Sequence, residues 1–271
     1  MPASDGQYQA MMAAVAERTS QIVEALDGLD RATLLAPSQL PDWSRLTIAC
    51  HLRYGAEAVA RMTRAAVSGQ PVAYYPEGRE RQRPLTLVPR RGERPPAVVA
   101  SLEERSEDLD RVWSCLDDAG WRLQVTEPEG NADLGTLELA RLAVLRLTEV
   151  EVHGTDLGLG LDDWGELFVR VALPMRLDRL NTRRSNHRGF DTVPEGTWLL
   201  SASDGPAYLV DLRAGRVDSH PAGPATPATA RMEATSRDLL ALLLGRPLRG
   251  SLRLSGDTAF GDAFARAFPG P

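Results

Sequence analysis

The feature that most limits the fold is a segment in the middle of the chain that is apolar almost all the way around a helix. Residues 134–153 read LGTLELARLAVLRLTEVEVH, in which leucine, valine and alanine recur without leaving a continuous polar face. Such a helix is stable only when other elements cover it on every side. The sequence therefore predicts a helix over residues 134–153 at the centre of a helical layer.

Other segments have the three-and-four spacing of apolar residues that is typical of helices packed against such a centre. The best defined of them has Ser44 or Thr47 as its N-cap and Gly69 as its terminator. Another begins near Pro95 or Pro96. Residues 70–96 lie between the two, are rich in proline and arginine, and are predicted to form a long link.

The pattern changes from helical to strand-like in the last third of the chain. A helix is predicted over residues 162–184, with a break or kink at Pro174. A helix N-capped by Ser236 follows later, among segments with the short apolar runs of strands: TWLLSA, AYLVDLR, TARMEA and SLRLSG. The predicted architecture is α+β, with a helical domain over residues 1–190 and a small α+β domain over residues 191–271.

Composition excludes several classes of protein and partner. The formal net charge is −6, whereas nucleic-acid binding requires a basic surface, so no nucleic-acid partner is expected. No long apolar segment or signal-like N-terminus is present, so no membrane partner is expected. Cys50 and Cys115 are too few for a disulfide framework.

These features predict a cytoplasmic protein. All 31 basic residues are arginine, which indicates a GC-rich genome such as an actinobacterial one.

Three residues on two predicted buried helices have the chemistry of metal ligands. Glu149 and His153 lie four residues apart, on one face of their helix, and His51 lies on the other helix. A carboxylate and an imidazole in an apolar environment must be paired or bound to something. Two histidines and one glutamate with an open fourth position are a known catalytic zinc arrangement. Two alternatives stay open at this stage: a hydrogen-bonded core histidine, and a buried ion pair between Glu149 and Arg146.

Three segments carry a resemblance to a known family. LPDWSRLTIACHL at residues 40–52 and RLTEVEVHGTDLG at residues 146–158 resemble two motifs of the mycothiol-dependent maleylpyruvate isomerases, in the same order and separation. GTWLL, LLLGR and SGD are similar to that family's second domain. The resemblance implies an N-terminal DinB-like four-helix bundle and a C-terminal domain related to sterol carrier proteins. It also implies that His51, Glu149 and His153 bind a divalent metal, expected to be zinc.

The implied chemistry is activation of a thiol. A thiol that coordinates a metal loses its proton and becomes a nucleophile. Cys50 should point away from His51 around the helix, so the thiol is expected from a cosubstrate, which in this family is mycothiol. The interpretation preferred here is a thiol S-transferase acting on an electrophilic small molecule. The alternatives are a cis-trans isomerase of the maleylpyruvate type and a metal-binding or ligand-binding protein without catalysis. The protein is expected to be a monomer or homodimer.

Further candidates surround the metal residues. Arg79 is the preferred arginine of the link for binding an anionic substrate, because arginine binds carboxylates in bidentate fashion. Trp43 is a candidate for the mouth of the site, or alternatively for anchoring its loop. Asp156 is a candidate hydrogen-bond acceptor for a ligand histidine, or alternatively a cap of the next segment.

One candidate lies in the C-terminal domain. Arg246 follows LLLG in a segment that resembles the family's Leu-x-Gly-Arg pattern, and the family places a catalytic arginine in this domain. Its plainer interpretation is a cation at a helix C-terminus. Arg249 and Arg253 are alternatives for the catalytic arginine. A polar run over residues 181–188, which includes His187, is interpreted as a solvated linker.

Overall fold

The computed structural model describes residues 5–182 and 193–270. The chain divides into two compact units, Met1–Phe168 and Val169–Pro271. The predicted domain boundary between residues 190 and 191, like most of the polar run that includes His187, lies outside the described residues, so it stays a prediction. None of the helices within the described ranges is both long enough and apolar enough to cross a bilayer.

The first unit contains a four-helix bundle, which confirms the predicted helical architecture. The long helices α1 and α3 each pack against both α5 and α7. Short helices and a two-stranded ribbon connect them. The elements are α1 (Asp5–Leu26), α2 (Arg31–Leu35), α3 (Arg45–Val67), α4 (Arg79–Thr86), α5 (Pro95–Trp113), α6 (Asp118–Trp121), β1 (Gln124–Val125), β2 (Leu137–Glu138) and α7 (Leu139–Asp156).

The apolar helix α7 lies in the bundle as predicted, but its bounds differ. It begins at Leu139 because the two residues before it pair with β1 in an antiparallel ribbon. Ten of its residues are buried, including Leu142, Leu147 and Val150. At Gly154 an added Cβ would lie 2.7 Å from Nε of Arg18, so the glycine lets this α1 side chain cross α7.

In the rest of this unit one expectation needs correction, and the choice between two predicted N-caps is decided. Residues 70–96 are not a loop throughout, because α4 forms within them. The N-cap of α3 is Ser44, whose side chain accepts a hydrogen bond from the Thr47 amide, and Gly69 follows the helix with φ of +65°.

The second unit is built on a five-stranded sheet with the order β5-β4-β3-β6-β7, in which only β3 and β6 are parallel. Trp198 is fully buried at its centre, stacked on Phe260 and in edge contact with Phe264. The elements are α8 (Glu166–Thr182), β3 (Gly196–Ala202), β4 (Ala207–Arg213), β5 (Arg216–Ala222), β6 (Ala230–Ala234), α9 (Ser236–Leu244), β7 (Arg253–Gly256), α10 (Thr258–Asp262) and α11 (Phe264–Ala267), with α8 starting three residues before the unit does.

The four predicted strands of this unit are confirmed, and two details were wrong. Strand β5 was not predicted. The N-cap of α9 is Thr235 rather than Ser236, since the Thr235 side chain accepts from the Asp238 amide. Helix α8 continues through Pro174, so the break that was one of the two predicted outcomes there does not occur, and the kink stays a prediction.

Candidate metal centre

The local fold of α3 and of the turn before it places His51. Ser44 caps the helix, and His51 follows two turns later. The turn before the cap is closed by Ser38, whose amide and hydroxyl both donate to the Trp43 carbonyl, at 2.9 and 2.8 Å. The indole of Trp43 is therefore held beside the first turns of α3.

The structure brings together the three residues predicted as ligands. His51 Nε2 lies 2.6 Å from Glu149 Oε2, and His153 Nε2 lies 3.5 Å from the same oxygen. One ligand atom from each residue lies within 4.8 Å of the other two. Tetrahedral zinc with its usual bond lengths holds its ligand atoms about 3.3 Å apart. The three donors therefore fit a divalent metal with small adjustments of their side chains.

Solvent reaches this cluster from the side of the glutamate. The Glu149 side chain is 41% exposed, whereas those of His51 and His153 are 13% and 12% exposed. Two neutral imidazoles and one carboxylate leave a divalent ion with a net charge of about +1 and with room for a further ligand. The exposed side of Glu149 is where such a ligand would enter.

The charges of the three residues are set by burial and by one another. Burial lowers the pKa of His51, although Glu149 acts against it. Burial opposes charge on Glu149 as well, but both histidines outweigh it and hold the pKa of this carboxyl well below its usual range. For His153 burial is outweighed by Asp156 and Glu149, which raise its pKa to about 9. Without a metal, the cluster is therefore an ion pair of Glu149 with protonated His153.

Asp156 fixes the orientation of His153. Its carboxylate is buried and accepts a hydrogen bond of 2.9 Å from His153 Nδ1. The opposite nitrogen, Nε2, is the one that faces Glu149. Carboxylates commonly hold metal-binding histidines in this way, with the second nitrogen directed at the ion. The predicted acceptor role of Asp156 therefore agrees with the observed contact.

Trp43 forms one wall of the cluster. Its ring stacks on His153 with centroids 5.6 Å apart and meets His51 edge-on at 5.3 Å. The guanidinium of Arg83 lies 5.8 Å from the centre of the Trp43 ring. Trp43 thus contacts both histidines and also a cation, a neighbour that was not predicted.

Arg79 is at the first position of α4, and its charge is already balanced. Its Nη1 donates to both carboxylate oxygens of Asp133, at 2.8 and 2.7 Å. Its guanidinium also lies 5.6 Å from the centre of the Tyr75 ring. A substrate-binding role for Arg79 would require competition with Asp133, and it stays a prediction.

Glu127 is a structurally important residue that no sequence pattern indicated. Its buried carboxylate accepts four backbone hydrogen bonds, one from Tyr74 at 2.7 Å and three from residues 133–135 at 2.6–2.9 Å. These bonds join the segment that carries Tyr74 and Tyr75 to the loop that carries Asp133. The single glutamate therefore fixes both neighbours of Arg79.

Arg146 is not the partner of Glu149 that one alternative required. It is 1% exposed, and its Nη1 donates to the Leu52 carbonyl at 2.9 Å. Gly55 makes this approach possible, since an added Cβ there would lie 3.0 Å from Nη1. Among the described residues, the ion pairs of Glu149 are those with the two histidines.

The other residues that the sequence indicated as candidates make contacts that are typical of structural residues. Cys50 is fully buried, and burial raises the pKa of its thiol to about 11, which suits a packing residue. In the second unit, Arg246 Nη1 donates to the Leu244 carbonyl at 3.1 Å, at the C-terminal end of α9. This contact is what a helix-end cation makes, and a catalytic role for Arg246 stays a prediction, as does one for its alternatives Arg249 and Arg253.

Comparison with known proteins gives a family and a fold. The sequence profile of the mycothiol maleylpyruvate isomerase N-terminal domain matches residues 15–158. No curated protein matches the chain significantly. The crystal structure of the mycothiol-dependent maleylpyruvate isomerase is similar over 92% of both chains, with a TM-score of 0.66 and 19% identity. A histidine-to-alanine mutant of that isomerase gives 0.66 and 18%, again over 92% of both chains. At these identities the likeness establishes a shared fold, which agrees with the predicted α+β class.

Proposed function

Because the chain belongs to the mycothiol maleylpyruvate isomerase N-terminal domain family, we propose that it is a metal-dependent enzyme that uses mycothiol as a nucleophile. His51, Glu149 and His153 would hold the metal, and zinc is the ion expected for this donor set. The observation that carries the proposal is the convergence of these three donors within 4.8 Å beside a solvent-exposed edge. A thiol that coordinated a divalent ion held there would lose its proton to solvent and become a thiolate.

The residues of the chain would prepare this chemistry. Asp156 holds His153 by its Nδ1, so that Nε2 faces the cluster. Trp43 lies against both imidazoles, stacked on His153 and edge-on to His51. Cys50 is buried with a raised pKa and does not provide the nucleophile. We expect the thiol to come from a second substrate, and mycothiol is the one that the family name supports.

Two outcomes follow from the same first step, in which the thiolate sulfur forms a bond to an electrophilic carbon. In a thiol S-transferase, the interpretation favoured from the sequence, this bond is kept while a proton is taken up or a leaving group departs. In a cis-trans isomerase, addition to a double bond allows rotation about the resulting single bond, and the thiolate is then expelled. The second outcome is supported by the likeness to the isomerase along 92% of both chains.

The proposal is tested by adding mycothiol to the cobalt-substituted protein. Coordination of the thiol should produce a sulfur-to-cobalt charge-transfer band and shift the visible spectrum. The Cys50→Ala variant is the control and should respond as the wild type does. A spectrum that mycothiol leaves unchanged would sink the thiol-activation proposal and favour a metal-binding protein without this catalysis. Product analysis with maleylpyruvate then separates isomerisation from a stable thiol adduct.

A further inference from the structure

The arginines of residues 70–96 differ in whether their charge is balanced. Three have a carboxylate partner: Arg79 pairs with Asp133 at 2.7 Å, Arg81 with Glu77 at 3.4 Å and Arg90 with Glu57 at 3.2 Å. Such pairs at an exposed surface contribute little to stability, but they occupy the guanidinium. An arginine that binds a substrate carboxylate needs its nitrogen donors available.

Arg83 has no such partner among the residues that the structure describes. It lies on α4, one turn after Arg79, and it is partly buried. Its guanidinium lies 5.8 Å from the centre of the Trp43 ring. The aromatic face stabilises the cation but accepts none of its N–H hydrogen bonds in the way that a carboxylate does. Arg83 therefore retains donors for an anionic ligand.

Two ring contacts connect Arg83 to the cluster of His51, Glu149 and His153. Trp43, over which it lies, stacks on His153 at 5.6 Å. The Arg83 guanidinium therefore lies no farther from the centre of the His153 ring than the sum of 5.8 Å, its distance to the Trp43 ring, and 5.6 Å, the distance between the two rings. The pKa of the Tyr75 phenol, raised mainly by burial, is lowered by Arg83 and raised by Glu149, so both charges act on this side chain. A substrate that extends along Trp43 from the cluster would bring a carboxylate to Arg83.

We propose that Arg83 binds a carboxylate of the electrophilic substrate and so selects anionic electrophiles. This inference rests on the proposed function, because it assigns the substrate class of the same site. Partial burial against Trp43 strengthens the interaction, since a charge-assisted bidentate contact gains from a lower local dielectric. Arg79 keeps Asp133 and the loop in place, while the arginine one turn later contacts the substrate.

The test is maleate binding to the zinc-loaded protein, measured by calorimetry. Maleate is a small dicarboxylate that needs no thiol to bind. We expect Arg83→Met to weaken maleate binding about tenfold or more, and Arg83→Lys to give an intermediate loss, because lysine keeps the charge but not the bidentate geometry. The matched control is Arg81→Met on the same helix, whose exposed side chain pairs with Glu77. This control should bind maleate as the wild type does.

Several results would overturn the inference. They are a wild type that does not bind maleate, an Arg83→Met variant that binds it with wild-type affinity, and an equal loss in Arg81→Met. In turnover, Arg83→Met should raise KM for maleylpyruvate and leave KM for mycothiol unchanged; the reverse would assign Arg83 to the thiol instead. Failure of the cobalt spectrum to respond to mycothiol would contradict the proposed function alone, since the maleate comparison does not depend on it.

Discussion

Metal binding to this protein should release one proton per chain near neutral pH. A histidine must be neutral to coordinate a metal, and a carboxyl must be ionised. The pKa of Glu149 lies well below its usual range and that of His51 is lowered, so neither residue carries a proton that the metal must displace. The pKa of His153 is raised to about 9, so this residue does.

The size of the effect follows from that single pKa. Below pH 9 the metal competes with the His153 proton, so its apparent affinity falls about tenfold for each pH unit. Near pH 7, two units below the pKa of about 9, the affinity should be about 100-fold below its plateau, equivalent to about 3 kcal/mol. Affinity should stop rising above pH 9, where His153 is already neutral.

Calorimetric titration with zinc in buffers of different ionisation enthalpy measures the proton count directly. The wild type should release close to one proton at about pH 6, where a water bound to the zinc, with a pKa of about 7, stays protonated. Asp156→Asn should release fewer, because removing the charge that accepts from His153 Nδ1 lowers the pKa of that histidine. Asp108→Asn is the matched control, since this carboxylate pairs with Arg64 instead. Release of no proton, or of two, by the wild type would refute the assigned charge states.

Three further predictions concern individual side chains. His51→Ala and His153→Ala should each abolish activity and weaken metal binding while the far-ultraviolet circular dichroism stays that of the wild type; unfolded variants would favour a core role for these histidines. Glu127→Ala should lower the free energy of unfolding by about 3 kcal/mol in urea titrations, because four backbone amides lose a buried acceptor; a loss within experimental error would mean that water replaces the carboxylate. If Arg246 acts in the reaction, Arg246→Ala should lower turnover by orders of magnitude. Turnover near that of the wild type, with a change of about 0.3–1 kcal/mol in the free energy of unfolding, would show that Arg246 acts only as a cation at the C-terminus of its helix.

The bundle and its metal cluster could be predicted because their signals are local and periodic. The apolar stripe of α7 indicates a buried helix, and two ligand residues four positions apart must share its face. A buried carboxylate and imidazole need partners, but this requirement alone left a core histidine or a pair with Arg146 open, and the family resemblance supplied His51 as the third ligand. The structure agrees with the placement of all three residues.

Other features could not be predicted, for physical reasons that differ from case to case. Helix α4 reads RERQRPLT, which has no apolar stripe and contains Pro84, so its sequence resembles a loop. Strand β5 is an edge strand with mostly exposed residues and a proline, so it lacks the usual apolar alternation. The choice between Thr235 and Ser236 as N-cap depends on backbone dihedrals, because both hydroxyls suit the position.

The residues around the metal cluster needed the tertiary structure for a different reason. Glu127 acts by accepting from amides of two separate segments, and nothing in its neighbouring residues indicates this. The difference between Arg79 and Arg83 depends on where Asp133 lies, which is some 50 residues away in the chain. The sequence identified the arginine-rich segment as a candidate for substrate binding, but it could not show which guanidinium is occupied.

X-ray absorption at the zinc edge, with and without mycothiol, tests the central claim most directly. For the zinc-loaded protein it should report low-Z neighbours at about 2.0–2.2 Å, as two imidazoles and one carboxylate require, and no sulfur neighbour. Adding mycothiol should introduce one sulfur neighbour at about 2.3 Å. A His51→Ala protein should bind little zinc in the same preparation. A wild type that binds no zinc, or whose zinc gains no sulfur neighbour with saturating mycothiol, would contradict the account.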